Sequence, residues 1–207
     1  MDVALRAVSW ALAFRLFGDC RDISERFWLD FIKTLFLHGR FVLENIEWSD
    51  IARQNHYLSD VVGLLYLGAL FRETREGRRW LDYGARSLER EMLHQVYPDG
   101  VDHEISVSYH RLVTELFLSG AFVLEALGFG VSAAFRERLG RMLDFTGSYT
   151  RPDGKVSRVG DADDGRAHIL SGFGSDPLDH SHLFRDFRLQ PRAGEEPASK
   201  TFPQGGF

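Results

Sequence analysis

Apolar residues recur in steps of three and four along most of residues 1–150, the spacing that lays one buried stripe on a helix. The pattern predicts a first helix over 3–17, closed by Gly18, and a second from Asp22 to about Asn45 with Phe27, Phe31, Leu35 and Phe36 on its apolar side. A break follows over Glu47–His56. The third helix, about Leu58–Arg75, is apolar nearly all round, whereas the fourth, 77–96, carries Arg78, Arg79, Arg86, Glu89, Arg90 and Glu91 outward. The fifth has apolar positions at Leu112, Val113, Leu116, Phe117, Val123, Leu124 and Leu127 and ends near Gly128 and Gly130; the sixth covers roughly Ser132–Tyr149. Buried helices alternating with more polar ones fit helical hairpins stacked around an axis, one helix of each pair inside and one outside. The expected class is therefore all-α, with residues 1–150 as the helical domain.

The fifth helix is preceded by the densest polar cluster in the chain. A Pro98-Asp99-Gly100 turn leads into Asp102, His103, Glu104, Ser106, Ser108, Tyr109, His110 and Arg111. Ser106 or Ser108 is the expected N-cap. Running the apolar stripe backwards from Leu112 and Val113 reaches Tyr109, which is expected at the inward-facing start of the helix, with His110 and Glu104 close by. After Arg151 the pattern changes. Pro152-Asp153-Gly154 repeats the earlier turn, short β-like pieces follow at Val156–Val159, and residues 151–207 read as a loop-rich connection. Thr201–Phe207 reads as the entry to a strand with no sheet to join, so the chain is expected to be cut at a domain boundary and, alone, to be poorly soluble and inactive.

Composition narrows the picture. Of 207 residues, 44% are hydrophobic and 17 are Phe, enough for a sizeable core. The net charge of -5 argues against a nucleic-acid partner. Lysine occurs only at positions 33, 155 and 200, so the basic residues are almost all arginine, whose planar fork suits carboxylates and sulfates; genomic base composition explains the same bias. Cys20 is the only cysteine, which excludes an internal disulfide framework. No apolar run is long enough for a membrane span, and Asp2 and Arg6 bracket an amphipathic helix, not an export signal.

Three pieces together resemble the heparinase II/III-like polysaccharide lyases and the related oligoalginate lyases. They are Gln54-Asn55-His56-Tyr57-Leu58 before a helix with Gly63 and Gly68; Pro98-Asp99-Gly100 followed by Glu104-Ile105-Ser106-Val107-Ser108-Tyr109-His110-Arg111-Leu112; and Gly160-Asp161-Ala162-Asp163-Asp164-Gly165-Arg166. The resemblance runs over nearly the whole chain and implies an α/α toroid packed on a C-terminal β-sandwich, with β-elimination at a uronic acid in the cleft between them. It would place Asn55 against the substrate carboxylate and Tyr109 as the proton-transferring residue, with His56 and His110 as further catalytic candidates and Glu104, Arg111, Arg53 and Asp161 as substrate-binding ones. About six helices make an incomplete toroid, and the β-sandwich lies outside this sequence. The partner implied is an acidic polysaccharide; no cofactor is implied.

The residue types suit that chemistry. A proton α to a carboxylate is not acidic until a donor faces the developing enolate-like charge, and an asparagine amide does this without titrating. The base and the acid can be tyrosine or histidine, and Glu104 can orient a histidine. Each residue also has a plainer reading: Tyr109 as a hydrogen-bonded core tyrosine, Asn55 and His56 as capping-region residues, His110 facing solvent or a carbonyl, Glu104 as a first-turn anion at a helix dipole. Asp161, Asp163 and Asp164 do not have EF-hand spacing and read as a turn that caps its own amides. His103 with His110, or His180 with His182, could ligate a metal, but spacing supplies no third ligand. Two other functions stay open: an α/α-barrel glycoside hydrolase using Glu104 and Asp161 or Asp163, and a non-catalytic helical carbohydrate-binding or scaffold module.

Overall fold

The computed structural model describes residues 1–49, 54–162, 165–168, 176–185 and 200–206. Among them are six long helices: α1 (Asp2–Phe17), α2 (Glu25–Glu44), α3 (Asn55–Leu70), α4 (Arg75–Gln95), α5 (Val107–Ala126) and α6 (Ala133–Tyr149). A single turn, α7 (His182–Arg185), follows. The chain forms two compact units, Met1–Arg90 with Ser119–Val131, and Glu91–Leu118 with Ser132–Phe207.

In the first unit α1, α2 and α3 pack against one another. Ala4, Ala7, Val8 and Ala11 are the buried face of α1, and small side chains there allow close approach. A Cβ on Gly63 of α3 would stand 2.7 Å from the Cβ of Ala4, and one on Gly68 only 2.5 Å from the backbone nitrogen of Leu81 on α4. Leu35, Val42, Leu64, Leu67 and Trp80 complete the core. Trp80 lies flush on Gly39 of α2 and packs on Phe36 at 5.1 Å. Ser24 caps α2 through the Phe27 amide at 3.2 Å, so the helix begins three residues later than periodicity alone places it. α3 is enclosed along nearly its whole length, as its all-round apolar character requires.

In the second unit α5 is buried from Leu112 to Leu118, and Phe117 meets Phe135 of α6 edge-on at 5.7 Å. Both Pro-Asp-Gly segments are turns: the Gly100 amide bonds to Tyr97 O and the Gly154 amide to Arg151 O, with φ of 95° and 82° at the two glycines. Two expectations fail. Val156–Val159 forms no strand; only an isolated bridge, Lys155 to Asp179, is made, because the facing segment turns on its own aspartates. The terminal residues do not enter a strand either. The amides of Gln204 and Gly205 bond to Asp99 Oδ2 at 2.8 and 2.9 Å, which folds this segment into a turn, and Phe202 packs on Phe145 at 4.8 Å.

Candidate functional site

The two motifs lie in different units and each is built by the residues around it. In the second unit, Ser106 is the N-cap of α5: its Oγ accepts from the Tyr109 amide at 3.3 Å. The same hydroxyl donates to Asp161 O, and the Val107 amide bonds to Val159 O at 3.0 Å. These contacts stitch the 159–161 segment onto the first turn of α5. Gly160 (φ 81°) permits it, because a Cβ there would sit 2.7 Å from Ile105 O. Ile105 itself has φ 53°, a left-handed conformation that a β-branched residue adopts only under constraint. The result is a held pair: Tyr109, half-buried, donates its hydroxyl to Asp161 Oδ2 at 3.4 Å.

His110, not Tyr109, occupies the fully inward position of this first turn. It is 1% exposed. Its Nδ1 accepts from the Asp102 amide at 3.3 Å, so Nε2 carries the proton and donates to Met142 O at 3.1 Å. Phe145 stands edge-on to the ring at 4.8 Å. Burial without a counter-charge pushes its pKa down to about 4. The expectation of His110 beside Tyr109 on an open face therefore gives way to a neutral internal histidine, because the helix turn that leaves residue 109 at the surface carries residue 110 inside.

Arg111 is likewise turned inward. Its guanidinium donates to Pro177 O at 2.9 Å and to Gly165 O, and its Nε lies 3.7 Å from the Glu115 carboxylate one turn on. Glu115, buried, accepts from the Ala167 amide and from His182 Nε2, both at 2.7 Å. Together these two side chains pin the 165–168 and 176–182 segments to α5. The expected substrate-binding role of Arg111 does not fit a side chain whose donors are turned to internal carbonyls. The charged pair four residues apart inside an apolar helix was the sequence signal for this hub; His182 was marked only as a metal-ligand candidate with His180. His180 bonds the Tyr149 hydroxyl at 3.2 Å, and burial, reinforced by Arg111 nearby, drives its pKa down to about 3.

Before α5, Asp102 is fully buried, and burial raises its pKa. Its carboxylate lies 3.4 Å from His103 Nδ1, and this close negative group raises the histidine's pKa. Glu104 is half-buried in the same turn and adds negative charge beside both.

In the first unit, Gln54 is the N-cap of α3 and makes no side-chain cap bond, so Asn55 is the first helical residue and not the cap. Asn55 is 5% exposed. His56 beside it is exposed, and its Nδ1 donates to Glu47 Oε2 at 2.7 Å. The Glu47 amide donates to Asp60 Oδ2 at 2.9 Å. Glu47, His56 and Asp60 line a cavity of about 260 Å³ with Asn45 and Val42. Arg53, Asp163 and Asp164 lie outside the described residues. No helix among the described residues is long and apolar enough to cross a membrane.

Comparison with known proteins places these motifs in a family. The family model described as heparinase II/III N-terminus matches residues 1–175. A heparin-sulfate lyase of Bacteroides stercoris is 24% identical over 155 residues, covering 74% of this chain and 23% of that protein. A heparin-sulfate lyase of Pedobacter heparinus is 26% identical over 118 residues, 57% of this chain and 17% of the relative. The chain thus spans a quarter or less of these relatives. Among solved structures, heparinase III superposes with a TM-score of 0.66 at 19% identity, over 74% of this chain and 24% of that one. A heparan sulfate lyase from Pedobacter heparinus gives 0.59 at 22% identity over 75% and 24%. These likenesses give the fold, the all-α class of the α/α toroid that the helix alternation pointed to.

Proposed function

Because the chain belongs to the heparinase II/III N-terminus family, we propose that it is the helical portion of a polysaccharide lyase that cleaves acidic, uronic-acid-containing polysaccharide by β-elimination. The match over residues 1–175, which includes both the Asn55-His56 and the Ser106–Arg111 motifs, carries this reading. The names of the relatives, heparin-sulfate lyases, support an acidic, sulfated polysaccharide as the substrate class. In this reading a β-sandwich portion beyond these residues completes the cleft.

The Asn55 amide faces the substrate carboxylate and stabilises the negative charge that develops on it as the C5 proton leaves. His56 stands beside it and adds to the same field. Tyr109 is the proton-transferring group. Its hydroxyl, held toward Asp161 by the stitched loop, is placed to exchange a proton with substrate as the C4–O4 bond breaks and the C4–C5 double bond forms. Glu104 and Asp161 border the substrate. His110 and Arg111 act from inside: His110 braces the turn that presents Tyr109, and Arg111 anchors the loop that presents Asp161.

The test is the mass of products from a panel of uronic-acid polysaccharides digested by the protein with its β-sandwich portion. Elimination leaves a product lighter by the elements of water than hydrolysis does. Hydrated products would move the assignment to a hydrolase using Glu104 and Asp161; no cleavage of any panel member would favour a binding module.

A further inference from the structure

Glu47 entered no expectation about the site, yet it makes the closest side-chain contact of His56, at 2.7 Å. The two residues are nine apart across the α2–α3 break, so the contact depends on how that break is held. Asp60 holds it. His56 and Asp60 are four residues apart on α3 and share one face of the helix. Asp60, buried, accepts the Glu47 amide at 2.9 Å, which suspends Glu47 directly over His56. Both Glu47 and His56 are open to the cavity of about 260 Å³, which is large enough to admit part of a sugar ring. Among the described residues, Asp2, Glu47 and Asp60 are the acidic side chains that line this cavity with His56.

We propose that Glu47 is a positioning residue for His56: it fixes the imidazole with the proton on Nδ1 and presents Nε2 to the substrate carboxylate that Asn55 faces. A carboxylate behind the ring does two things. It selects one tautomer, and it compensates positive charge when the ring is protonated, so that Nε2–H donates to the uronate. What Nε2 does rests on the lyase reading above; the Glu47–His56 contact stands on geometry alone.

Two measurements separate these layers. Ring-nitrogen NMR of the chain, with the imidazole neutral, reads the tautomer directly. The wild type is expected to hold the Nδ1–H form, and Glu47→Ala to release it to a mixture. A wild-type ring with its proton mainly on Nε2 overturns the proposal whatever the activity proves to be. In the protein with its β-sandwich portion, Glu47→Ala is expected to lower kcat by about 10- to 100-fold with a smaller change in KM, the range lost when a carboxylate that orients an imidazole is removed. Glu47→Gln keeps an acceptor without the charge and recovers part of that loss. Undiminished kcat in Glu47→Ala overturns the positioning role even if the tautomer shifts. Absence of elimination by the wild type refutes the lyase reading instead, and leaves the tautomer result to decide the contact.

Discussion

His110 makes the stability of the second unit fall as the solution turns acid. The ring is buried and neutral, with Nε2–H on Met142 O and Nδ1 facing the Asp102 amide, so a second proton has nowhere to go without breaking one of these contacts. Its pKa lies near 4, against an ordinary 6.5. Between those values the unfolded chain binds a proton that the folded chain refuses. Stability is therefore fully present above about pH 6.5 and declines until pH reaches about 4. From pH 7 to pH 5 the His110 share of that loss is about 2 kcal/mol. His180, with its pKa near 3, adds a loss of the same sign. Asp102 works the other way: its raised pKa means that protonation on acidification relieves a buried charge. Replacing His110 isolates its contribution from both. His110→Gln keeps a donor for Met142 O and removes the titration. Urea titrations of wild type and variant at pH 7 and pH 5 are expected to show the variant losing about 2 kcal/mol less between the two. Equal losses would refute the reasoning, as would ring protons of His110 that titrate near pH 6.5.

Other perturbations test the packing and the hub. Gly68→Ala places a Cβ 2.5 Å from the backbone nitrogen of Leu81, which cannot rotate away. It should cost about 1–3 kcal/mol, seen as a melting temperature lower by roughly 2–4 °C for each kcal/mol. Glu115→Gln removes the carboxylate that Arg111 and His182 share in the interior, and a loss of about 3–5 kcal/mol in urea titration is expected, against near-neutral values if the pair contributes only at the surface.

What could be read from the chain was local. The helix periodicity, the Ser106 N-cap and the two Pro-Asp-Gly turns depend on residues within one turn of each other, and they stand in the structure close to where the pattern puts them. Tyr109 and His110 show where this ends. Adjacent residues at the mouth of an enclosed helix point about 100° apart, and the apolar stripe cannot say which is further inside when the helix is buried on almost every side. Contacts that cross long stretches carried no signal. The separations of 67 positions from Glu115 to His182 and 105 from Asp99 to Gln204 close only once the loops are placed. The terminal Thr201–Gly206 segment reads as extended by composition, but two amides find Asp99 and turn it. Arg111 is a related case: an arginine beside a site motif invites a ligand, whereas in the structure it lies buried beside Glu115 one turn on.

The central claim is that Tyr109 transfers a proton in an elimination. Continuous absorbance of the C4–C5 double bond, followed on a uronic-acid polysaccharide with wild type and Tyr109→Phe side by side, tests it most directly. The substitution removes one hydroxyl and its bond to Asp161 while leaving the ring in place. The account predicts steady absorbance growth for wild type and a rate lower by about 10² or more for the variant. New reducing ends without absorbance, or a variant as fast as wild type, would contradict it.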